Sequence, residues 1–244
     1  MVEILGIIVA GPCSWIEPSQ EKSIKDTAGA LLNLSVNNNL EIWFRCKLWL
    51  GGTTPEKFAV GVEEAGLPSL HKIEEIMPTG TEIQTPYQMD YCRGLSYIWV
   101  GARSSQNYGL LKYACLFPGN VLVKRHPGMT LDEIIGVYDI CEQIYKKKIY
   151  IIERGINTFD RKPESRWTPD FKGIIQLKQL RPDIFERTFV DVSHSVSDKA
   201  YIPDVYNAFK AIGVENYMVE ATIDGKSKTD CGQVMSIDEL EGML

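Results

Sequence analysis

Eight short β-branched runs, segments of helical period between most of them, and the absence of a nucleotide-binding glycine motif together predict a closed (β/α)8 barrel of the TIM type. The runs fall near residues 4–12, 40–48, 81–85, 97–102, 120–125, 148–153, 187–192 and 216–221. A parallel neighbour cannot be reached by a tight turn, so strands alternating with helices imply parallel pairing through right-handed crossovers. A doubly wound open sheet is the alternative. It loses ground because GxGxxG is missing after the first run and GxxxxGK[ST] occurs nowhere.

Taken in order, the first strand, "ILGIIVAG", gives way to Pro12, Cys13 and a polar turn. The segments "SIKDTAGALLNLSVNN", "SQNYGLLKYACLF", "MTLDEIIGVYDICEQIYKKK" and "KAYIPDVYNAFKAIG" carry helical period between later strands. Thr130 with Glu133 three residues on reads as a capping box, and Gly213 after "AFKAI" reads as a helix stop. The 244 residues suit one barrel spanning 1–244, with no internal repeat and no linker that would divide it.

The formal net charge of -6 argues against a nucleic-acid partner, since phosphate backbones are bound by neutralising Lys and Arg. The apolar start is too short to span a bilayer and follows Glu3 rather than a basic segment, so no membrane association and no signal peptide are expected. The six cysteines lack paired spacing, which fits reduced thiols in a cytoplasmic protein and excludes a local zinc knuckle. Any metal site must therefore gather ligands distant in sequence.

In a barrel the chemistry sits at the C-terminal mouth, so the residues ending each strand are the informative ones. Strand one ends in Cys13, and strand two carries Arg45 and Lys47. Strand four ends in Arg103, five in Lys124 and Arg125, six in Glu153 and Arg154, seven in His194 and eight in Glu220. A lone Cys is ordinarily a small core hydrophobe, a histidine past a strand is as often structural as functional, and Asp230 by itself is a turn residue. Glu220 differs, because a carboxylate within an apolar strand costs several kcal/mol unless paired or metal-bound. Units one, seven and eight become neighbours when a barrel closes, so Cys13, His194, Glu220 and Asp230 can converge on one cation. Thiolate, imidazole and carboxylates together suit Mn²⁺, Fe²⁺, Co²⁺ or Zn²⁺ rather than Mg²⁺ or Ca²⁺. Arg103, Lys124 and Arg154 end three consecutive strands at the same relative position. Such a cluster is better explained by a bound phosphate than by three unrelated surface ion pairs.

The motifs "AGPCS", "GARSSQN", "LVKR", "IIERGINTF", "VDVSHS", "MVEAT" and "TDCGQ" occur in order along nearly the whole chain, which resembles the 3-deoxy-7-phosphoheptulonate (DAHP) synthases and, more distantly, the 3-deoxy-manno-octulosonate 8-phosphate synthases. The resemblance implies a metal-dependent barrel that condenses phosphoenolpyruvate with an aldose phosphate. With erythrose 4-phosphate as acceptor this is the first step of the shikimate pathway to aromatic amino acids. It implies Cys13, His194, Glu220 and Asp230 as ligands of one divalent metal, and Arg103, Lys124 and Arg154 as the cradle for the phosphoenolpyruvate phosphate. Cys13, Lys124 and His194 are the expected catalytic residues. Arg45, Lys47, Thr53, Thr54, Arg125, Glu153, Arg166 and Asp191 are the further expected substrate contacts, with Glu153 either holding Arg154 or forming a plain structural ion pair.

One departure concerns the acceptor. Leu50, Gly51 and Gly52 stand where the family typically carries Lys-Pro-Arg, although Thr53, Thr54 and Pro55 are kept. Lys47 could substitute if a register shift brought it to the mouth. The alternatives are a related synthase with another aldehyde acceptor, or a homologue that binds metal and phosphoenolpyruvate without turnover. The chain begins almost at the first strand, so no appended regulatory domain is expected, and a homo-oligomer, dimer or tetramer, is the expected assembly.

Overall fold

The computed structural model describes residues 6–15, 17–49, 63–160, 162, 165, 167–227 and 231–244. All eight expected strands are present: β1 (Ile7–Gly11), β2 (Glu41–Arg45), β3 (Thr79–Ile83), β4 (Tyr97–Val100), β5 (Asn120–Lys124), β6 (Tyr150–Glu153), β7 (Thr188–Asp191) and β8 (Asn216–Thr222). Each pairs in parallel with the next, and β8 closes on β1 in the register Ile8 with Tyr217 and Gly11 with Glu220. The chain is thus a (β/α)8 barrel.

The four expected helical segments appear as α1 (Glu21–Asn38), α4 (Tyr108–Ala114), α5 (Leu131–Asp139, continued by a π-helical turn, Ile140–Ile144) and α9 (Ile202–Ile212). Helices α2 (Glu63–Glu74), α3 (Gln88–Tyr91), α6 (Phe171–Leu180) and α7 (Pro182–Phe185) lie outside those four segments; Pro68 interrupts the pattern of α2, and a polar loop leads into α6. Thr130 and Glu133 form the expected reciprocal cap, and Gly213 ends α9 at φ 98°, a conformation open to glycine at little cost.

Side chains alternate along each strand, and the barrel uses this to separate core from chemistry. Val9, Trp43, Tyr97, Trp99, Leu122, Ile152, Phe189 and Met218 form an interior layer. Gly80 belongs there too, since a Cβ at that position would lie 2.5 Å from the Tyr97 ring. Two residues further on, the same inward parity delivers Arg45, Glu82, Lys124, Arg154, Asp191 and Glu220. The opposite parity packs Ile8, Phe44, Ile98, Val123 and Val219 with α1, α4 and α9 in the outer core.

Gly11 sets the approach of β1 to β2. Its φ is +145°, and a Cβ there would lie 2.3 Å from the Arg45 carbonyl oxygen. Gly11→Ala is expected to cost about 2–3 kcal/mol through overpacking and backbone strain. An unchanged melting curve by circular dichroism would contradict it.

Candidate active site at the C-terminal mouth

A cavity of about 530 Å³ opens at the C-terminal ends of the strands. It is lined by Cys13, Arg45, Lys47, Arg103, Lys124, Arg154 and His194 from the expected set, with Glu82 as the lining carboxylate. Five cationic side chains thus face one space at the edge of a protein of net charge -6.

Cys13, His194 and Glu220 present ligand atoms that all lie within 4.8 Å of one another. The closure of β8 on β1 accounts for this, since Gly11 is in register with Glu220 and Cys13 follows two residues later. His194 sits on α8 (Val192–Val196), whose N-terminus is capped by Asp191 Oδ1 accepting from the His194 backbone N–H at 3.0 Å. The other oxygen, Asp191 Oδ2, lies 2.8 Å from His194 Nδ1, which leaves Nε2 to face Glu220 Oε1 at 3.4 Å. A carboxylate behind an imidazole is the usual outer partner of a metal-binding histidine.

Glu220 is fully buried and well held: Arg45 Nη2 lies 3.2 Å from Oε1, Gln233 Nε2 donates to Oε2 at 2.7 Å, and its backbone N–H donates to Ser193 Oγ. Burial disfavours the Arg45 charge, but Glu220, with Cys13 and Asp191 beyond it, outweighs that cost and raises its pKa. Arg45 Nε and Nη1 are buried with no hydrogen-bond partner among the described residues.

Lys124 donates to Asp191 Oδ2 at 2.7 Å. Burial lowers the Lys124 pKa despite that carboxylate. For Asp191 the balance reverses: burial opposes its charge, yet His194 and Lys124 hold it well below the usual carboxylate range. Arg154 lies over the Trp167 ring, 3.8 Å from its centroid, and both side chains line the mouth.

Two expected substrate contacts are placed elsewhere. Arg125 and Glu153 have outward parity, one step out of phase with Lys124 and Arg154. Arg125 Nη1 lies 2.7 Å from both Glu153 Oε2 and Asp170 Oδ2, and its Nε and Nη2 donate to the Met129 carbonyl. Glu153 also accepts from the Gly155 N–H at 2.7 Å. The pair fastens the end of β6 to the start of α6, and Glu153 holds Arg125 as a structural ion pair. Burial raises the Glu153 pKa although Arg125 opposes it.

Lys47 reaches the cavity without any register shift, as it lies two residues past inward-facing Arg45 and its Nζ lies 3.2 Å from Glu82 Oε1. Trp15 and Trp49 are buried and absent from the described lining. Asp230, Thr53, Thr54, Arg166 and the Leu50–Gly52 stretch lie outside the described residues. Strand-end reasoning missed Glu82, Gln84, Asn157 and Gln233. Glu82 had the same signal as its neighbours, an inward position two residues beyond Gly80. Cys13, Cys46, Cys92, Cys115 and Cys141 are all buried, and burial pushes the Cys46 and Cys92 thiols up to about 12. No helix among the described residues is long and apolar enough to cross a membrane.

A family model described as the DAHP synthetase I family matches residues 5–244. The phospho-2-dehydro-3-deoxyheptonate aldolase of Thermotoga maritima is 28% identical over 238 residues, covering 91% of this chain and 65% of that protein. The chain thus spans just under two thirds of the length of that curated relative. The crystal structure of a phospho-2-dehydro-3-deoxyheptonate aldolase (DAHP synthase) from Thermotoga maritima superimposes with a TM-score of 0.82 at 25% identity, covering 99% of this chain and 67% of the other. A truncated 3-deoxy-D-arabino-heptulosonate 7-phosphate synthase from the same organism gives a TM-score of 0.79 at 24% identity, covering 98% and 84%.

Proposed function

This chain belongs to the DAHP synthetase I family, and from that premise we propose that it condenses phosphoenolpyruvate with an aldose phosphate, erythrose 4-phosphate by default, in a reaction that depends on one divalent metal. The observation that carries the reading is the meeting in one cavity of a thiol, an imidazole and a buried carboxylate with five cationic side chains.

The donor set fits a metal of intermediate softness, and Asp191 Oδ2, 2.8 Å from His194 Nδ1, stands where the outer carboxylate partner of such a ligand would be. Cys13, His194 and Glu220 would hold it, with Asp230 as the fourth ligand. When bound, the metal supplies a Lewis acid for the carbonyl of the acceptor. Arg103, Lys124 and Arg154 hold the phosphate of phosphoenolpyruvate. Arg45 Nε and Nη1, which find no acceptor among the described residues, would receive an anionic oxygen such as the carboxylate of phosphoenolpyruvate, because a buried guanidinium N–H without an acceptor is costly. So held, phosphoenolpyruvate attacks the aldehyde through C3, water adds at C2, and phosphate leaves. Lys124, with its lowered pKa, releases a proton more readily near neutral pH than an ordinary lysine does. The gain comes from positioning and from fixed cations aimed at developing charge.

The test is phosphate release from phosphoenolpyruvate across a panel of aldose phosphates, with several divalent metals and with chelator. Release with at least one aldose that chelator abolishes and Mn²⁺ or Zn²⁺ restores is the expected result. Release indifferent to chelator would sink the metal. Tight phosphoenolpyruvate binding with no release for any aldose would favour the binding homologue. A different acceptor is the second reading, favoured by Leu50, Gly51 and Gly52.

A further inference from the structure

The cradle cations end β4, β5 and β6, whereas the metal donors come from β1, β7 and β8. Between these two arcs lies the sector of β2 and β3, whose cavity-lining side chains are Arg45, Lys47, Glu82 and Gln84. An acceptor whose carbonyl lies near the donors and faces a substrate held over β4–β6 has its remaining carbons over this sector.

Among the Lys and Arg ion pairs described in the mouth, Lys47–Glu82 is the one with both partners reachable by solvent. Its side chains are 14% and 15% exposed, against 2% and 0% for Arg45–Glu220 and 6% and 0% for Lys124–Asp191. Lys47 is fixed at its backbone, where Ser14 bridges to it beside Cys13 and its carbonyl accepts from the Trp15 N–H at 2.8 Å. Glu82 is fixed at its carboxylate, which accepts from Trp99 Nε1 at 3.0 Å and from Gln84 Nε2 at 3.4 Å. Gly101 leaves it room, since a Cβ there would lie 2.6 Å from Oε1. A solvent-reachable ammonium beside a carboxylate and an amide offers donors and acceptors in alternation with little net charge. That pattern suits hydroxyl groups, each both donor and acceptor, and suits a dianionic phosphate poorly.

We propose that Lys47, steadied by Glu82, is the specificity-determining contact for the hydroxyl groups of the acceptor. The inference rests on the synthase reading and adds to it which residue reads the hydroxyl groups of the acceptor.

The protein loaded with phosphoenolpyruvate and Mn²⁺ is titrated calorimetrically with two unreactive probes, erythritol 4-phosphate and butyl phosphate, which share length and charge but differ in hydroxyls. The wild type is expected to bind erythritol 4-phosphate more tightly. Lys47→Met is expected to weaken that binding about 10- to 100-fold, the loss typical of a charge-assisted hydrogen bond, while butyl phosphate and phosphoenolpyruvate affinities change less than about threefold. Lys47→Gln, which keeps N–H donors without the charge, repeats the measurement should the Met variant fail to fold. Equal weakening of both probes would make Lys47 a phosphate contact and overturn the proposal, as would no weakening, or no preference for the polyol in the wild type. Failure of the wild type to bind phosphoenolpyruvate would instead overturn the synthase reading.

Discussion

Cys13→Ala is expected to lower affinity for Mn²⁺ or Zn²⁺ by at least about 100-fold, since removing even an outer-shell partner of a metal site typically costs 10- to 100-fold. The thiol is one of three donors converging within 4.8 Å, and the other two, His194 and Glu220, are held by neighbours of their own. Truncating Cys13 therefore removes a ligand without collapsing the site. Metal content after dialysis, and the thiolate-to-metal absorption of the Co²⁺-loaded protein, both report the loss. Metal-dependent phosphate release should disappear with it. Cys46→Ala is the control: that thiol is buried, its pKa pushed up to about 12, and it lies outside the donor cluster. Unchanged metal affinity in the Cys13 variant would take the sulfur out of the site.

Arg125→Met is expected to destabilise the fold by about 3–5 kcal/mol, because it strips the cation from two carboxylates that remain in place. Glu153 and Asp170 both lie 2.7 Å from Arg125 Nη1, and Glu153 is nearly inaccessible to solvent. For a chain of this length the loss corresponds to a fall in Tm of roughly 6–20 °C. The effect should depend on pH. Burial already holds the Glu153 pKa above its ordinary value even with Arg125 present, so without Arg125 it rises further. A carboxyl with a raised folded-state pKa is best tolerated when protonated. The penalty is therefore smallest under acidic conditions, grows as pH rises from the ordinary carboxylate range towards that raised pKa, and levels off above it. Melting curves across pH test this, and phosphoenolpyruvate affinity of the folded variant should stay within about threefold of wild type. A large loss of affinity at unchanged Tm would return Arg125 to the substrate site.

The contrast between Lys124 and Arg125 shows how far the sequence could be read. Both stand at the end of β5, and strand-end position alone predicts a substrate contact for each. Counting in twos from interior Leu122 reaches Lys124 and skips Arg125, and counting from Ile152 reaches Arg154 and skips Glu153. That information was in the sequence, but it needs the strand's inward phase, which an apolar run buried on both faces does not display. Gly80 hid the phase of β3 in the same way, so Glu82 went unnoticed.

The sequence by itself determined the number and order of strands, the mouth as the place for chemistry, and the residue types gathered there. Those follow from local periodicity and from the rarity of charges at the ends of apolar strands. The tertiary structure alone decided the partners. Arg45 meets Glu220 across 175 residues of sequence, Lys47 meets Glu82, and Cys13 presents its sulfur within 4.8 Å of ligand atoms of His194 and Glu220. These contacts depend on the register in which β8 closes on β1 and on the stagger of neighbouring strands, which are properties of the whole ring rather than of any one segment.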